Sequence, residues 1–334
     1  MARARAGVLP GVRPAAQPAA NRLTAPLARR LDGAAIAAAI RADLAPEVAA
    51  VTARLRRAPA LTLVLAGDDP ASAIYVRSKE KAAGESGIDV AVRRLSESAS
   101  LDELLAVVEG LNADDRIDGI LVQSPLPSGM GRGAAQRVFD AIDPAKDADG
   151  FHPINVGKLV QGRAHLAPCT PAGVLEMLDR SGIRISGSRA VVIGRSDIVG
   201  KPMAMLLLHR DATVVICHSR TPELASVAAT ADILVAAVGR AGFVTRDFVK
   251  PGATVIDVGI NRVQDAAVAR SLFAPGAQRL LDFEKRGSVI VGDVHPAVAG
   301  VAGALTPVPG GVGPLTIAML LKNTVAAAKA RLDA

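Results

Sequence analysis

From residue 31 to the C-terminus, apolar positions alternate between stretches with a period of about 3.6 and short apolar runs, the pattern of helices interleaved with buried strands. Residues 35–56 predict an amphipathic helix. The run 61–65 predicts a strand that ends at the turn Gly67-Asp68-Asp69-Pro70. A helix over 72–84 leads to a strand over 89–94. Ser100 and Glu103 form a capping box for a helix reaching Leu111, and a strand over 119–123 follows. Repetition of strand, helix and strand implies a parallel sheet, because parallel neighbours need a crossover.

A second series starts after Pro168 with a helix over 172–180, a strand over 190–193, a helix over 202–209 and a strand over 213–217. Strands over 233–238, 254–258 and 289–291 and a last helix over 315–331 complete it. The expected fold class is α/β, with two doubly wound α/β domains, the second of Rossmann type. The boundaries predict a disordered basic extension over 1–30, a first domain over 31–168 and a second over 169–305.

Composition narrows the function classes. With 334 residues, half of them hydrophobic, the chain has apolar surface enough for two ordinary domains. Its apolar runs are far shorter than the ~20 residues that span a bilayer, so no membrane segment is expected. The formal charge is +7, but residues 1–30 carry six arginines and no acid, which leaves +1 for the rest. A nearly neutral body with one Tyr, six Phe and no Trp is a poor match to a nucleic-acid surface. The extension lacks Ser and a secretory apolar core, so it reads as a flexible tail or a misassigned start. Cys169 and Cys217 form no CxxC pair, and no histidine-carboxylate cluster has metal-ligand spacing; a reduced, cytoplasmic setting without metal is expected.

The stretch from Val191 to Pro202 reads as a buried strand, a glycine turn and a helix start. Gly194 permits the turn, and the helix N-terminus with Gly200 offers backbone N–H groups and a positive dipole end to a pyrophosphate. The spacing G-x-S-x-x-x-G departs from G-x-G-x-x-G, so an ordinary tight turn remains an alternative. The next strand ends in Cys217-His218-Ser219-Arg220, without the acid that binds a 2′-hydroxyl in NAD sites. Arg195 and Ser219 instead suit a 2′-phosphate, which favours NADP. Gly194, Arg195, Ser196, Val199, Gly200, Ser219 and Ile260 are the candidate cofactor set.

In the first domain Tyr75 and Lys79 stand four apart on one helix face. An isolated Y-x-x-x-K is more often a solvated face than a site. Gln123-Ser124-Pro125-Leu126-Pro127 places Gln123 at the carboxyl end of a strand, where α/β proteins bind ligands. Lys146-Asp147-Ala148-Asp149-Gly150 puts carboxylates at the junction of the two domains.

Together with Pro307-Val308-Pro309-Gly310-Gly311-Val312-Gly313-Pro314, these segments resemble the bifunctional methylenetetrahydrofolate dehydrogenase/cyclohydrolase family from about residue 31 onward. The resemblance implies oxidation of methylene-tetrahydrofolate with NADP, then hydrolysis of the methenyl product to 10-formyl-tetrahydrofolate. It assigns folate packing to Tyr75, central catalysis to Lys79, lysine positioning to Gln123 and pterin binding to Asp149, with Pro309, Gly310 and Gly311 at the substrate. It also implies a cleft between the domains, return of residues 306–334 to the folate-binding domain, and a homodimer. Hydride transfer then depends chiefly on placement, whereas hydrolysis requires an activated water.

Departures are Ala34, Ser124 and Ala148, none of them a reacting group, and a long stretch over 264–287, expected to be a surface insertion. His152 and His295 precede prolines and His165 lies in a polar stretch, so all three are expected in loops; His209 is expected at a helix end, interacting with the dipole. The rival readings are a dehydrogenase without cyclohydrolase activity, a non-catalytic NADP-binding regulator, and a basic nucleic-acid binder.

Overall fold

The computed structural model describes residues 27–333. The chain runs β1 (Arg29–Arg30), α1 (Gly33–Leu55), β2 (Ala60–Ala66), α2 (Pro70–Glu85), β3 (Asp89–Leu95), α3 (Leu101–Ala113), β4 (Gly119–Val122), α4 (Ala134–Ala141) and α5 (Pro153–Val160). There follow α6 (Cys169–Arg180), β5 (Arg189–Ile193), α7 (Gly200–Leu208), β6 (Thr213–Cys217), α8 (Leu224–Ala228), β7 (Ile233–Ala236) and β8 (Thr254–Asp257). The chain closes with β9 (Asn261–Val263), α9 (Ala266–Leu272), α10 (Gln278–Arg286), β10 (Val289–Val291), β11 (Ala304–Leu305) and α11 (Val312–Ala330).

Side-chain caps set the helix starts by accepting N–H groups that have no partner within the helix. Asp32 Oδ1 accepts from Ala34 and Ala35 N–H at 3.1 Å, and Asp69 Oδ2 accepts from Ser72 N–H at 2.8 Å. The capping box of α3 is reciprocal: Ser100 Oγ accepts from Glu103 N–H at 3.1 Å while Glu103 Oε2 accepts from Ser100 N–H at 2.7 Å.

Two parallel sheets result. One holds three strands in the order β3-β2-β4, and the other six in the order β1-β11-β8-β7-β5-β6. In the larger sheet the chain leaves β5 for β6 on one side and returns to β7 on the other, so a crevice opens where the loops after β5 and β7 part. Helix α11 packs on α1 and α6 and joins the two halves. A single apolar cluster accordingly runs from Leu63 and Val76 through Leu178 and Leu315 to Val192 and Ile256.

Two expectations need correction and two gain detail. Residues 1–26 of the expected disordered extension lie outside the described residues, but its end is ordered: Arg29–Arg30 pairs in parallel with Ala304 and Leu305. Two-residue strands show no hydrophobic periodicity, which is why β1 and β11 escaped notice. Strand β10 does not join the large sheet; it pairs antiparallel with β9 as a separate hairpin. His152 and His295 lie outside the helices, as expected, and also cap them, their Nδ1 atoms accepting from Ile154 N–H at 3.0 Å and Ala297 N–H at 3.1 Å. The stretch 264–287, expected as a surface insertion, is folded. It forms α9 and α10 over a small core of Leu272, Leu280, Phe283 and Val289, and Arg279 on α10 bonds to the Val308 carbonyl.

Candidate active site

Helix α2 presents Tyr75 and Lys79 one turn apart, as the spacing requires. Lys79 is nearly buried, with 9% of its surface exposed, and its Nζ donates to Gln123 Oε1 at 3.1 Å. Gln123 follows β4 directly, and its amide Nε2 donates to the Ser124 carbonyl at 2.6 Å. That second bond fixes which end of the side-chain amide faces the lysine. Tyr75 stays partly exposed at the cleft wall, where burial raises its phenol above the usual value.

The two carboxylates of the junction have separate tasks. Asp147 is committed to structure: it accepts from Gly150 N–H at 3.0 Å, His152 N–H at 2.8 Å and Asn155 Nδ2 at 2.9 Å. Asp149 is half-buried and lies in the field of Lys79. Burial pushes its carboxyl up to about 6; the Lys79 ammonium opposes that shift, the Asp147 charge adds to it, and a hydrogen bond with the Cys169 thiol opposes it. Lys146 is structural as well. Its buried Nζ donates to the carbonyls of Leu111, Asn112 and Asp114 at 3.1, 2.6 and 2.8 Å, neutralising the C-terminal end of α3.

A cleft of about 520 Å3 lies between α2, the loop after β8 and the segment Pro307 to Pro314. Tyr75, Ile260, Pro309, Gly310 and Gly311 all line it. The glycine-rich segment is seated directly on α1: a Cβ on Gly33 would stand 1.7 Å from the Gly311 carbonyl oxygen, so only glycine permits the contact. From the other side Arg279 of α10 donates to the Val308 carbonyl at 2.9 Å and to the Ile290 carbonyl. The helices over 264–287 thus tie the β9–β10 hairpin to the wall of the cleft.

At the crevice of the large sheet, Gly194 adopts φ +133°, and a Cβ there would come within 2.3 Å of the Ala237 carbonyl oxygen. Only glycine allows this loop to cross the end of β7. The expected display of free N–H groups is shifted along the chain. Ser196 Oγ accepts from Val199 and Gly200 N–H at 3.2 and 3.3 Å, whereas the N–H groups of Ser196, Asp197 and Ile198 have no partner among the described residues. Three open amides beside the N-terminus of α7 fit an anionic phosphate. Arg195 and Ser219 are exposed with side chains that make no hydrogen bond or ion pair among the described residues, as a 2′-phosphate site requires.

Two family models match this chain. The tetrahydrofolate dehydrogenase/cyclohydrolase catalytic domain covers residues 31–149, and the NAD(P)-binding domain of the same description covers 168–332. The chain belongs to the tetrahydrofolate dehydrogenase/cyclohydrolase family. A relative named bifunctional protein FolD from Solibacter usitatus is 54% identical over 304 residues, spanning 91% of this chain and 98% of its own. Another of that name from Koribacter versatilis is 55% identical over 305 residues, spanning 91% of this chain and 98% of its own. Among solved structures, the Trypanosoma brucei methylenetetrahydrofolate dehydrogenase-cyclohydrolase, complexed with NADP cofactor and inhibitor, is 39% identical. It covers 92% of this chain and 100% of its own with a TM-score of 0.81. The Campylobacter jejuni bifunctional enzyme is 42% identical, covers 90% of this chain and 98% of its own, and has a TM-score of 0.78.

Within this dehydrogenase/cyclohydrolase frame, several contributors were not legible beforehand. Asn323 of α11 donates to the Ala148 and Ala167 carbonyls at 2.9 Å, so the C-terminal helix fixes the backbone that carries Asp149. Asp257 and Asp293 knot the loops at the carboxyl ends of the large sheet. Asp293 accepts from the N–H groups of Val238, Gly239 and Arg240 and from Asn261 Nδ2, and Asp257 accepts from those of Gly259, Asp293 and Val294. Their residue types were visible, but pairing across 36 positions is a product of the fold.

Proposed function

We propose that this chain oxidises 5,10-methylenetetrahydrofolate to the methenyl compound with NADP, and hydrolyses that product to 10-formyltetrahydrofolate in one-carbon metabolism. The observation that carries the reading is the nearly buried Lys79 ammonium, held by Gln123 and facing Asp149 at the junction of the two halves. Bound NADP supplies the hydride acceptor. Tyr75 offers a ring face to the flat folate, Asp149 binds the donor groups of the pterin edge, and Pro309, Gly310 and Gly311 shape the opposite wall. Lys79 then holds and moves the proton of the attacking water at its Nζ, and Gln123 keeps that atom in place. Gly194, Arg195, Ser196, Val199, Gly200, Ser219 and Ile260 hold the dinucleotide.

The same reading assigns residues 31–168 with 306–334 to the folate-binding catalytic domain and 169–305 to the Rossmann NADP domain. The packing of α11 on α1, and Asn323 on the Ala148 carbonyl, support returning the C-terminal helix to the first domain. We assign a homodimer formed through the NADP domain: β6 is an unpaired sheet edge, and exposed Ile216 lies on it while exposed Leu208 ends the neighbouring α7. Two free cysteines fit a reducing cytoplasm.

The test is a single assay on purified protein. With methylene-tetrahydrofolate and NADP, methenyl absorbance rises and then decays as 10-formyl-tetrahydrofolate forms. Absence of the rise overturns the reading; a rise without enzyme-dependent decay leaves a dehydrogenase alone.

A further inference from the structure

The helices over 264–287 help to enclose a second cavity, of about 290 Å3. Leu272 and Phe273 at the end of α9, Arg279 of α10, Val294 and the strand end Leu305-Thr306 line it. It shares Asp257, Pro307 and Val308 with the 520 Å3 cleft, so one wall separates the two spaces. None of the residues assigned above to the dinucleotide lines it, and neither do Tyr75, Gly310 and Gly311.

Arg279 is the one arginine or lysine on this wall. Its guanidinium is half-buried, 5.6 Å from the centre of the Phe273 ring, and it makes no ion pair among the described residues. Two terminal nitrogens donate to the Val308 and Ile290 carbonyls, and Nε has no acceptor among the described residues. A guanidinium carries five N–H donors in a fork that matches a carboxylate. Two neutral carbonyls therefore leave it short of both acceptors and charge. Beside it the Thr306 hydroxyl accepts from Asp257 N–H at 2.7 Å, and its own proton has no acceptor among the described residues. Asp257, the one carboxylate on the wall, is already spent on the N–H groups of Gly259, Asp293 and Val294.

We infer that this cavity is an effector site for a small monocarboxylate with an apolar body, and that its occupancy weakens folate binding by drawing Arg279 away from the Val308 carbonyl. The site rests on the cavity alone; the coupling rests on the folate reading above. The volume lies at the small end of ligand pockets, which run from roughly 300 to 1,000 Å3, so the guest is a single ring or a short chain. One guanidinium amid apolar side chains neutralises one charge, and a dianion would bury a second without a partner. A carboxylate bonds the fork more strongly than a neutral carbonyl does, so it displaces Val308 and loosens the segment that runs on to Pro309, Gly310 and Gly311.

Benzoate and its uncharged analogue benzamide test this on the full-length enzyme saturated with NADP. In calorimetric titration benzoate is expected to bind saturably, at about millimolar concentration for so few atoms. Benzamide binds roughly tenfold more weakly, the scale of a charged hydrogen bond. Saturating benzoate raises KM for methylene-tetrahydrofolate about fivefold to a plateau, because both ligands occupy the protein together, and leaves KM for NADP unchanged. Arg279→Met loses the response to benzoate. Leu272→Phe fills the cavity with Arg279 intact, keeps the basal KM and also loses the response. Absence of saturable binding, benzamide as tight as benzoate, or binding that survives both variants overturns the site; the benzamide comparison needs no variant to fold. A KM that climbs without a plateau places benzoate in the folate cleft, and binding that leaves KM unchanged overturns the coupling. If the enzyme does not oxidise methylene-tetrahydrofolate with NADP, the folate reading and the coupling both fall, while the titrations, which use no folate, still decide the site.

Discussion

Lys79 Nζ and Gln123 Oε1 lie 3.1 Å apart although 44 positions separate them in sequence. The lysine comes from the middle of a helix and the glutamine from the end of a strand in the same parallel sheet layer. In the mechanism proposed above this bond joins the residue that moves a proton to the one that orients it, and it sets the expected behaviour of both.

Lys79→Met keeps much of the stem's bulk and removes the ammonium. Cyclohydrolase activity is expected to fall by about 100-fold or more, the scale of a lost general acid or base. Dehydrogenase activity falls less, so methenyl-tetrahydrofolate accumulates in the coupled assay. Gln123→Ala shows a smaller loss, and the double variant is no worse than Lys79→Met because the two act as a unit. Wild-type hydrolysis by Lys79→Met assigns the water to another group.

The proposed role of Asp149 makes folate binding depend on pH. Burial raises its carboxyl from 3.8 to about 6, so it is ionised above that pH and protonated below. An ionised carboxylate is the better acceptor for pterin N–H donors; kcat/KM for the folate therefore falls as pH drops through about 6. The stability term has the opposite sense. Between about pH 4 and 6 the folded form holds a proton that the unfolded chain has released, so this group's contribution decreases as pH rises across that window and is constant above it. Asp149→Asn should remove the inflection near 6 in kcat/KM along with most folate affinity; an unchanged profile rules the carboxyl out.

Arg195→Ala should weaken NADP binding roughly tenfold or more, the scale of a charged hydrogen bond, and leave NAD nearly unaffected. Titration of both cofactors by fluorescence measures this directly. Equal losses would mean that Arg195 acts on a group the two cofactors share.

Arg279 ties α10 to the Val308 and Ile290 carbonyls. Truncation to Ala leaves both buried-side acceptors without their donor and loosens the wall formed by Pro309, Gly310 and Gly311. KM for the folate should rise severalfold with a modest loss of melting temperature, while KM for NADP changes little. Arg279→Lys, which retains a cation but not the two-pronged fork, should be intermediate. A change in melting temperature without any change in KM would confine Arg279 to stability.

Asp257 sits with its carboxyl raised to about 7, chiefly by burial, while accepting three backbone N–H groups. Asp257→Asn presents an amide N–H where an acceptor is required, so one backbone donor loses its partner. A loss of about 1–3 kcal/mol in unfolding free energy is expected, measured by denaturant titration.

The periodicity of apolar positions was sufficient to place the long elements, because burying one face of a helix or both faces of a parallel strand imposes a pattern visible within ten residues. Chemistry carried by local spacing was legible in the same way: Tyr75 and Lys79 share a helix face by geometry alone, and Gly194 permits the turn after its strand, whereas its close approach to the Ala237 carbonyl comes only with the fold. Which carboxylate of Lys146-Asp147-Ala148-Asp149 serves a ligand was legible only through the family resemblance, which names Asp149; the local pattern does not decide it. Asp147 is spent on Gly150, His152 and Asn155, and Lys146 on the end of α3, and those partners exist only once the chain has closed. The same holds for β1 and β11, whose two residues apiece become strands only by completing a sheet edge, and for α9 and α10, whose Arg279 meets Val308 across 29 positions. Sequence pattern specifies what a segment buries; long-range packing decides which polar groups are left over for a site.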